Sequence, residues 1–270
     1  MDTPLSPANI TQALTTRWLG HTCYYFPQID STNLWLRQEA SLREDMSHGA
    51  LAITDFQTRG RGRLERRWEA PANSNLLFSL FFRPNWSPAR ANWLTMLAGL
   101  AAVEGIAHVT GLQVCLKWPN DVVVPTPDGG WRKLGGILLE GVWRDGRLAQ
   151  AVLGIGLNVN APRADLPAFA IPATSILVET GQPGDRLRLL AQLLARLEAR
   201  YEAADAGQSP QPAWEARLIL RRQEVRIQDG GETVLRGIFA GTDDWGNLLL
   251  RDNAGKLHTI SAGDVSLHRP

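Results

Sequence analysis

The sequence predicts an α+β fold, in which a mixed or antiparallel sheet is flanked by helices and followed by a small C-terminal β-barrel. Between residues 114 and 159, apolar runs of strand length are separated by turn residues and not by helices, which favours hairpins over repeated βαβ units. The segments 89–109 and 186–204 carry apolar residues at helical spacing. After Arg222 the chain changes to short strands divided by glycine-containing turns, a pattern typical of a small barrel.

The individual elements follow from local patterns along the chain. A strand is predicted over 22–26, and Ser31 is a suitable N-cap for a helix over 32–45. Two more strands, near 51–53 and over 76–82, flank a loop rich in glycine and arginine. Turn residues then separate predicted strands over 114–118, 122–124, 133–140 and 151–159. A short helix over 213–220 precedes barrel strands near 224–227, 233–240, 247–251 and 256–261.

The change of pattern near Arg221 predicts two domains. Residues 1–221 would hold the larger sheet and the long helices, and residues 222–270 would hold the barrel. Only 30 residues precede Ser31, and their prolines and polar side chains suggest at most one short helix. An N-terminal winged-helix domain, which would bind nucleic acid, is therefore not expected.

Composition argues against several classes of protein. Of the 270 residues, 44% are hydrophobic and 20% are charged, and the formal net charge is only +1. Such a chain has little overall attraction to nucleic acid or to an acidic membrane surface. It shows neither a signal peptide nor an apolar run of membrane-spanning length. Cys23 and Cys115 form no metal-binding or disulfide pattern, so we expect a cytoplasmic protein without a metal held by a side-chain motif.

The loop from Arg59 to Arg67 carries an unusual local charge. Its five arginines and one glutamate give a charge of about +4 in a nearly neutral protein. Glycines at 60 and 62 permit close backbone approach, and guanidinium groups bind phosphate or carboxylate oxygens in pairs. The loop suits a phosphate-bearing ligand, although such segments also bind RNA nonspecifically or stay solvated.

Four other motifs accompany this loop, in the order Ser31-Thr32-Asn33, Lys117-Trp118-Pro119-Asn120-Asp121, Lys133 to Glu140 and Gly154 to Asn160. Together with GRGR and the following Trp68, they give the ordered set STN, GRGR, KWPND, KLGGILLE and GIGLNVN. In this set the sequence resembles the biotin protein ligase family, over roughly Asp30 to Asn160 and again in the C-terminal barrel. The resemblance implies the class II aminoacyl-tRNA synthetase-like fold of biotin and lipoate ligases, with a barrel similar to a Src-homology-3 domain.

The same resemblance implies two substrates, biotin and ATP accompanied by Mg²⁺. A pocket for the ureido ring of biotin needs a few polar groups in an apolar wall, and Ser31, Thr32 and Gln57 meet that need. Alternatively, Ser31 serves only as a helix N-cap and Gln57 belongs to a solvated loop. The full set that we expect at biotin is Ser31, Thr32, Asn33, Gln57, Arg61, Gly62, Arg63, Lys133 and Gly135.

Joining the biotin carboxylate to the α-phosphate of ATP brings two anions together, so cations must be in place beforehand. The expected catalytic residues are Arg61, Arg63, Arg66, Lys133 and Asp121. Asp121 is assigned to orienting these cations or the lysine that accepts biotin. The residues expected at ATP or the adenylate are Arg63, Trp68, Asn75, Lys117 and Asn158. Trp68 would stack on adenine, and a core tryptophan is its alternative.

The implied protein partner is the biotin carboxyl carrier domain of a biotin-dependent carboxylase, with a homodimer as a further option. Two alternatives are a lipoate ligase or transferase, which would use a cysteine nucleophile, and a biotin-sensing nucleic-acid-binding regulator. In the family pattern a glycine usually stands where this chain has Glu65. A negative side chain with a Cβ atom alters that turn, which affects the expected role of Arg66.

Overall fold

The computed structural model describes residues 3–63, 66–167, 172–229, 232–261 and 266–268. The helices in those ranges are α1 Pro7–Ala13, α2 Thr32–Leu42, α3 Ala91–Thr110, α4 Ile176–Thr180, α5 Arg186–Asp205 and α6 Gln211–Glu215. The strands are β1 Cys23–Phe26, β2 Leu51–Thr54, β3 Leu76–Phe82, β4 Cys115–Lys117, β5 Asp121–Pro125, β6 Trp131–Arg144, β7 Arg147–Leu157, β8 Glu224–Asp229, β9 Glu232–Thr242, β10 Leu248–Arg251, β11 Leu257–Ile260 and β12 Ser266–His268.

The first seven strands form one mixed sheet in the order β1-β2-β3-β7-β6-β5-β4. Strands β1 and β2 are parallel, and each other neighbouring pair is antiparallel. The last five strands form a separate antiparallel sheet in the order β11-β10-β9-β8-β12, where the barrel was expected. The predicted fold class is confirmed, because hairpins build most of the larger sheet.

Several local predictions match closely and two differ. Strand β3 has the predicted bounds, and Ser31 caps α2 by accepting a hydrogen bond from the Leu34 N–H at 3.4 Å. The β6–β7 hairpin is longer than predicted, because its strands continue to a tight turn at Asp145 and Gly146, where φ is positive. At the exposed tip of this hairpin the apolar residues Val142 and Trp143 are adjacent and do not alternate with polar ones, so the strand pattern of the buried part is lost there.

The short helix after α5 was predicted over 213–220, and that prediction was wrong in its second half. Helix α6 starts earlier, with Pro212 in its first turn, where a proline fits because the first N–H groups have no partner within the helix. The next residues pair instead with the edge of the larger sheet. Leu116 donates to the Arg217 carbonyl at 2.9 Å, and Ile219 donates to the Leu116 carbonyl at 2.8 Å.

Helix α3 forms the centre of the core. The segment Pro88–Thr110 is long and apolar enough to cross a membrane by length and composition alone. In the structure twelve of the 20 residues of α3 are buried, and the helix packs on α5, α6 and β6. Burial on several sides therefore explains its apolar composition.

The turn between β9 and β10 contacts the core at Trp118, next to the Lys117–Asp121 segment. The indole N–H of Trp118 donates to the Gly246 carbonyl at 3.0 Å, and that of Trp93 donates to the Asp244 carbonyl at 3.1 Å. Gly246 has a φ of +81°, and a Cβ atom there would lie 2.3 Å from the terminal methyl of Met96. A close fit thus ties the second sheet to α3 and to the KWPND motif.

A buried carboxylate fixes the segment before β1. Glu198 on α5 is 6% exposed and accepts hydrogen bonds from the backbone N–H groups of Arg17, Trp18 and Leu19 at 2.8 to 3.1 Å. Desolvation acts to raise the pKa of Glu198, but these bonds outweigh it and the pKa is lowered. The carboxylate therefore stabilises the fold above its ordinary pKa of 4.5, and this stabilisation is lost as the pH falls through the lowered value.

Replacing Glu198 with alanine should lower the free energy of unfolding by about 3 kcal/mol, since three N–H groups lose a charged acceptor. Urea unfolding at neutral pH measures this change. Glu202→Ala is the matched control, because this more exposed carboxylate contacts the Arg17 and Trp18 side chains and no backbone N–H group among the described residues, and we expect a loss of about 1 kcal/mol or less. Equal losses in both variants would contradict the proposed role of Glu198.

Candidate active site

A cavity of about 510 Å³ is lined by β3, β6 and β7, the start of α2 and the Gly/Arg-rich loop. Of the fifteen residues that the sequence predicts for the site, thirteen line it: Ser31, Thr32, Asn33, Gln57, Arg61, Gly62, Arg63, Arg66, Trp68, Lys117, Asp121, Lys133 and Asn158. The structure therefore brings together side chains that lie up to 127 positions apart.

One part of the cavity is a network of neutral polar groups. The Thr32 hydroxyl lies 2.7 Å from the Ser79 hydroxyl, and Thr32 also donates through its backbone N–H to the Gln57 side-chain carbonyl at 2.9 Å. Ser79 donates to the Asn33 side-chain carbonyl at 2.5 Å. Thr32 and Asn33 at the start of α2 and Ser79 in β3 are buried, and Leu138 adds an apolar surface to the same cavity. Such a site can bind a small ligand that has both donors and acceptors.

Glu140 connects this network to the arginine loop. Its carboxylate accepts from the Asn33 side-chain N–H at 2.9 Å and from the guanidinium groups of Arg61 at 3.0 Å and Arg37 at 2.6 Å. The ion pair connects Glu140 to Arg61, which lies 79 positions away in the sequence. The hydrogen bond from Asn33 connects the same carboxylate to helix α2. Glu140 therefore holds the start of the loop against the sheet.

The Trp68 ring packs against glycine residues of strands β6 and β7. A Cβ atom at Gly156 would lie 2.7 Å from the indole ring, and one at Gly136 would lie 3.2 Å from it. The backbone N–H of Trp68 donates to the Gly60 carbonyl at 3.0 Å, which closes the arginine loop at its base. The indole N–H is buried and has no hydrogen-bond partner among the described residues. Glycines at 136 and 156 thus make room for the ring inside the cavity.

Three charged side chains from β4, β5 and β6 meet at one side of the cavity. The Lys133 ammonium lies 2.6 Å from the Asp121 carboxylate and 5.6 Å from the centre of the Trp68 ring. Lys117 is 3% exposed, and burial lowers its pKa although the nearby Asp121 acts to raise it. Lys133, Arg66 and Arg63 lower this pKa further. A concentration of positive charge of this kind favours an anion, which would stabilise the charged form of Lys117.

The described part of the arginine loop is held by its own backbone. Gly62 donates to the Arg66 carbonyl at 2.7 Å, and Arg66 donates to the Arg63 carbonyl at 3.2 Å. The Arg63 guanidinium also donates to the Asn120 side-chain carbonyl at 3.3 Å. The sequence predicts that Glu65 alters this turn, but Glu65 lies outside the residues that the structure describes. The loop thus presents Arg61, Arg63 and Arg66 to the cavity.

Two predicted site residues do not line the cavity. Asn75 is fully buried and contacts Asn158 at 3.1 Å and the Val159 N–H at 3.0 Å, so it positions Asn158, which does line the cavity. Gly135 faces the neighbouring strand, where a Cβ atom would lie 2.4 Å from the Leu157 side chain. Its neighbour Gly136 lines the cavity instead.

No role was predicted from the sequence for Ser79, Asn120 or Glu140. A signal for Ser79 was present, because it is the single polar residue in the otherwise apolar strand β3. Asn120 and Glu140 lie within two of the recognised motifs, yet only the folded chain shows that they contact Arg63 and Arg61.

Comparison with known proteins gives two family matches. The model of the biotin/lipoate A/B protein ligase family matches residues 25–158, and that of the biotin protein ligase C-terminal domain matches residues 223–268. The five recognised motifs fall almost entirely within the first of these ranges.

Two curated relatives and one solved structure extend these matches. The biotin–acetyl-CoA-carboxylase ligase of Mycobacterium tuberculosis is 37% identical over 88% of this chain and 86% of its own length. That of Paracoccus denitrificans is 36% identical over 87% of this chain and 96% of its own length. The biotin protein ligase of Aquifex aeolicus, solved with biotin and ATP, gives a TM-score of 0.76 at 26% identity and covers 93% of this chain and 100% of that one. The chain therefore belongs to the biotin protein ligase family.

Proposed function

We propose that the protein is an ATP-dependent biotin protein ligase, which forms biotinyl-5′-AMP and then transfers biotin to a lysine of a carboxyl carrier domain. One observation carries the proposal. A single cavity contains a neutral polar network around Thr32 and a cluster of cations around Lys133, and the family's five motifs supply both.

The neutral part of the cavity suits the ureido ring of biotin. That ring offers one carbonyl acceptor and two N–H donors, and the hydroxyls of Ser31 and Thr32 and the amide of Gln57 supply matching groups. Ser31 can serve in two ways, because its hydroxyl caps α2 and also lines the cavity. Leu138 of β6 lines the same cavity and offers an apolar surface to the valeryl chain.

In the first step, a carboxylate oxygen of biotin forms a bond to the α-phosphorus of ATP. The bond from that phosphorus to pyrophosphate breaks, and pyrophosphate leaves with the electron pair. Lys133, Lys117, Arg63 and Arg66 would stabilise the charge that accumulates between the two anions. Positioning and charge are sufficient for this step, because the mixed anhydride is itself the activated species.

Mg²⁺ would accompany the triphosphate. The structure, within its described ranges, holds no group of three or more His, Cys, Asp or Glu side chains that could bind a metal ion. Phosphate oxygens and water would therefore supply most of its ligands. The protein's own cations would neutralise the remaining charge.

In the second step, the neutral amine of the carrier lysine attacks the carbonyl carbon of biotinyl-5′-AMP. A carbon–nitrogen bond forms, the bond from that carbon to the phosphate oxygen breaks, and AMP leaves with the electron pair. The amine proton released in this step would pass to Asp121, which faces the same cavity.

The main competing function is lipoyl transfer through a cysteine nucleophile. Burial raises the pKa of the Cys23 thiol to about 11, and burial also raises that of Cys115, so both thiols lack reactive thiolate character. Neither cysteine lines the cavity. A covalent enzyme intermediate on cysteine is therefore disfavoured. Both cysteines are unpaired, which suits the cytoplasmic location that forms part of the proposal.

The test of the proposal is a labelling assay. The protein is incubated with ATP, Mg²⁺, a recombinant biotin carboxyl carrier domain and radiolabelled biotin or lipoate in parallel. We expect acid-stable label on the carrier with biotin only. Label from lipoate at a comparable rate would overturn the choice of substrate. A homodimer remains a prediction, which sedimentation with and without both substrates would measure.

Biotin, ATP and Mg²⁺ together should protect the Arg59–Arg67 loop from trypsin. A bound adenylate offers its phosphate to arginines that otherwise repel one another, so contacts with the ligand should hold Arg61, Arg63 and Arg66 away from the protease. Cleavage after Arg61, Arg63 or Arg66 should be lost, whereas cleavage after the exposed Arg144 serves as the internal control. Peptide mapping measures both. An unchanged pattern would mean that the loop does not close over the ligand.

A further inference from the structure

A second, smaller cavity of about 120 Å³ adjoins the first. It lies between α3, the Trp118–Asn120 segment and the turn that holds Gly246. Thr95, Met96 and Leu139 line this cavity and not the larger one. The site described above makes no use of it.

The two cavities share a wall. Arg63, Pro119, Asn120 and Ile137 line both of them. The hydrogen bond from the Arg63 guanidinium to the Asn120 side-chain carbonyl, at 3.3 Å, lies in this shared wall. If Arg63 turns towards a phosphate in the larger cavity, this bond is lost and the wall opens.

The orientation of the Asn120 side chain is fixed by Ile137. The Asn120 amide nitrogen donates to the Ile137 carbonyl at 2.6 Å, and the Ile137 N–H donates to the Asn120 backbone carbonyl at 3.0 Å. The side-chain carbonyl of Asn120 must therefore face Arg63. Once Arg63 has moved, this oxygen can accept a hydrogen bond from an incoming N–H group.

The walls of the smaller cavity suit an unbranched apolar chain. Met96 and Trp118 are buried and apolar, whereas Thr95 and Leu139 are half-buried and stand nearer the surface. The four methylene groups of a lysine side chain match such walls. Apolar surroundings also disfavour an ammonium ion, which lowers the pKa of an entering lysine from about 10.4 towards the neutral amine needed for attack.

We propose that the smaller cavity is the path by which the carrier's acceptor lysine reaches the adenylate, with the Asn120 side-chain carbonyl holding its amine. This inference rests on the proposed function. It assigns a role to α3, which the adenylation chemistry does not need. It also makes Arg63 a link between the two steps, because the phosphate that engages Arg63 opens the path for the lysine.

Thr95→Phe places a ring at the mouth of the smaller cavity without touching the larger one. We expect kcat/KM for the carrier domain to fall at least about tenfold, while pyrophosphate release without carrier stays at the wild-type rate. His108→Phe is the control, since it adds a ring to an exposed position of the same helix far from both cavities. Normal pyrophosphate release also shows that the variant is folded.

Disulfide trapping gives a second, direct measurement. Ligase carrying Thr95→Cys is mixed with a carrier domain whose acceptor lysine is replaced by cysteine, under mild oxidation. We expect a cross-linked species with this variant and none with His108→Cys. Wild-type transfer by Thr95→Phe, or loss of both steps together, would overturn the inference. If the wild-type protein forms no biotinyl-5′-AMP, the proposed function fails instead, and the two failures are therefore distinguishable.

Discussion

Lys133→Ala should reduce the rate of biotinyl-5′-AMP formation by about 10³-fold, because it removes a cation preplaced where the biotin carboxylate and the α-phosphate meet. The ammonium lies 2.6 Å from Asp121 and beside the Trp68 ring, in the centre of the charged part of the cavity. Pyrophosphate release measures the effect. Lys256→Ala is the control, since this exposed lysine lies in the turn between β10 and β11 and outside the cavity.

A complication is that Lys133→Ala leaves the buried Asp121 carboxylate without its ion pair. The negative charge of Asp121 then faces the two anionic substrates without its ion-pair partner. The double variant Lys133→Ala/Asp121→Asn separates these effects, because it removes both charges. We expect it to remain as slow as Lys133→Ala, whereas recovery to near the wild-type rate would show that the lysine serves only to neutralise Asp121.

The parts of the fold that the sequence predicted are those with a local cause. Strand β3 is a continuous apolar run bounded by turn residues, and Ser31 precedes α2 as a side chain that caps a helix. Helix α5 begins as predicted at Arg186, after Asp185, whose side chain accepts from the Arg188 N–H. None of these depends on which strands become neighbours.

The details of the site that the sequence missed depend on pairing between distant strands. Side chains alternate along a strand, so Lys133 and Gly136 should face opposite sides of the sheet. An irregularity in the β5–β6 pairing next to Val122 and Val123 shifts the register between them. The Cβ position of Gly136 therefore lies 3.6 Å from the Lys133 ammonium, and Gly135 faces away.

The same limit applies to the partners of the charged groups. The loop's excess of positive charge is visible in the sequence, but the carboxylate that meets Arg61 is Glu140 on β6, and three strands and helix α3 separate the two residues in chain order. Asp121, which was expected to orient the arginines or the incoming lysine, pairs with Lys133. Tertiary packing alone decides between such candidates.

Asp121→Asn should slow the transfer of biotin from the adenylate to the carrier lysine by about 100-fold and leave adenylate formation within about tenfold of wild type. Asparagine keeps an oxygen that can accept a hydrogen bond from Lys133, so the geometry of the pair is retained while the proton acceptor is lost. Single-turnover transfer from preformed biotinyl-5′-AMP measures the step. The deficit should shrink between about pH 7 and pH 9, as more of the carrier lysine is already neutral.

Asp128→Asn is the matched control for this variant, because it makes the same chemical change in the turn between β5 and β6, outside both cavities. It should leave both steps at the wild-type rate. A deficit in Asp121→Asn that stays constant across the pH range would show that the carboxylate acts on the position of Lys133 and takes no proton. Equal loss of adenylate formation and transfer would lead to the same conclusion, since Lys133 is needed first for the adenylate.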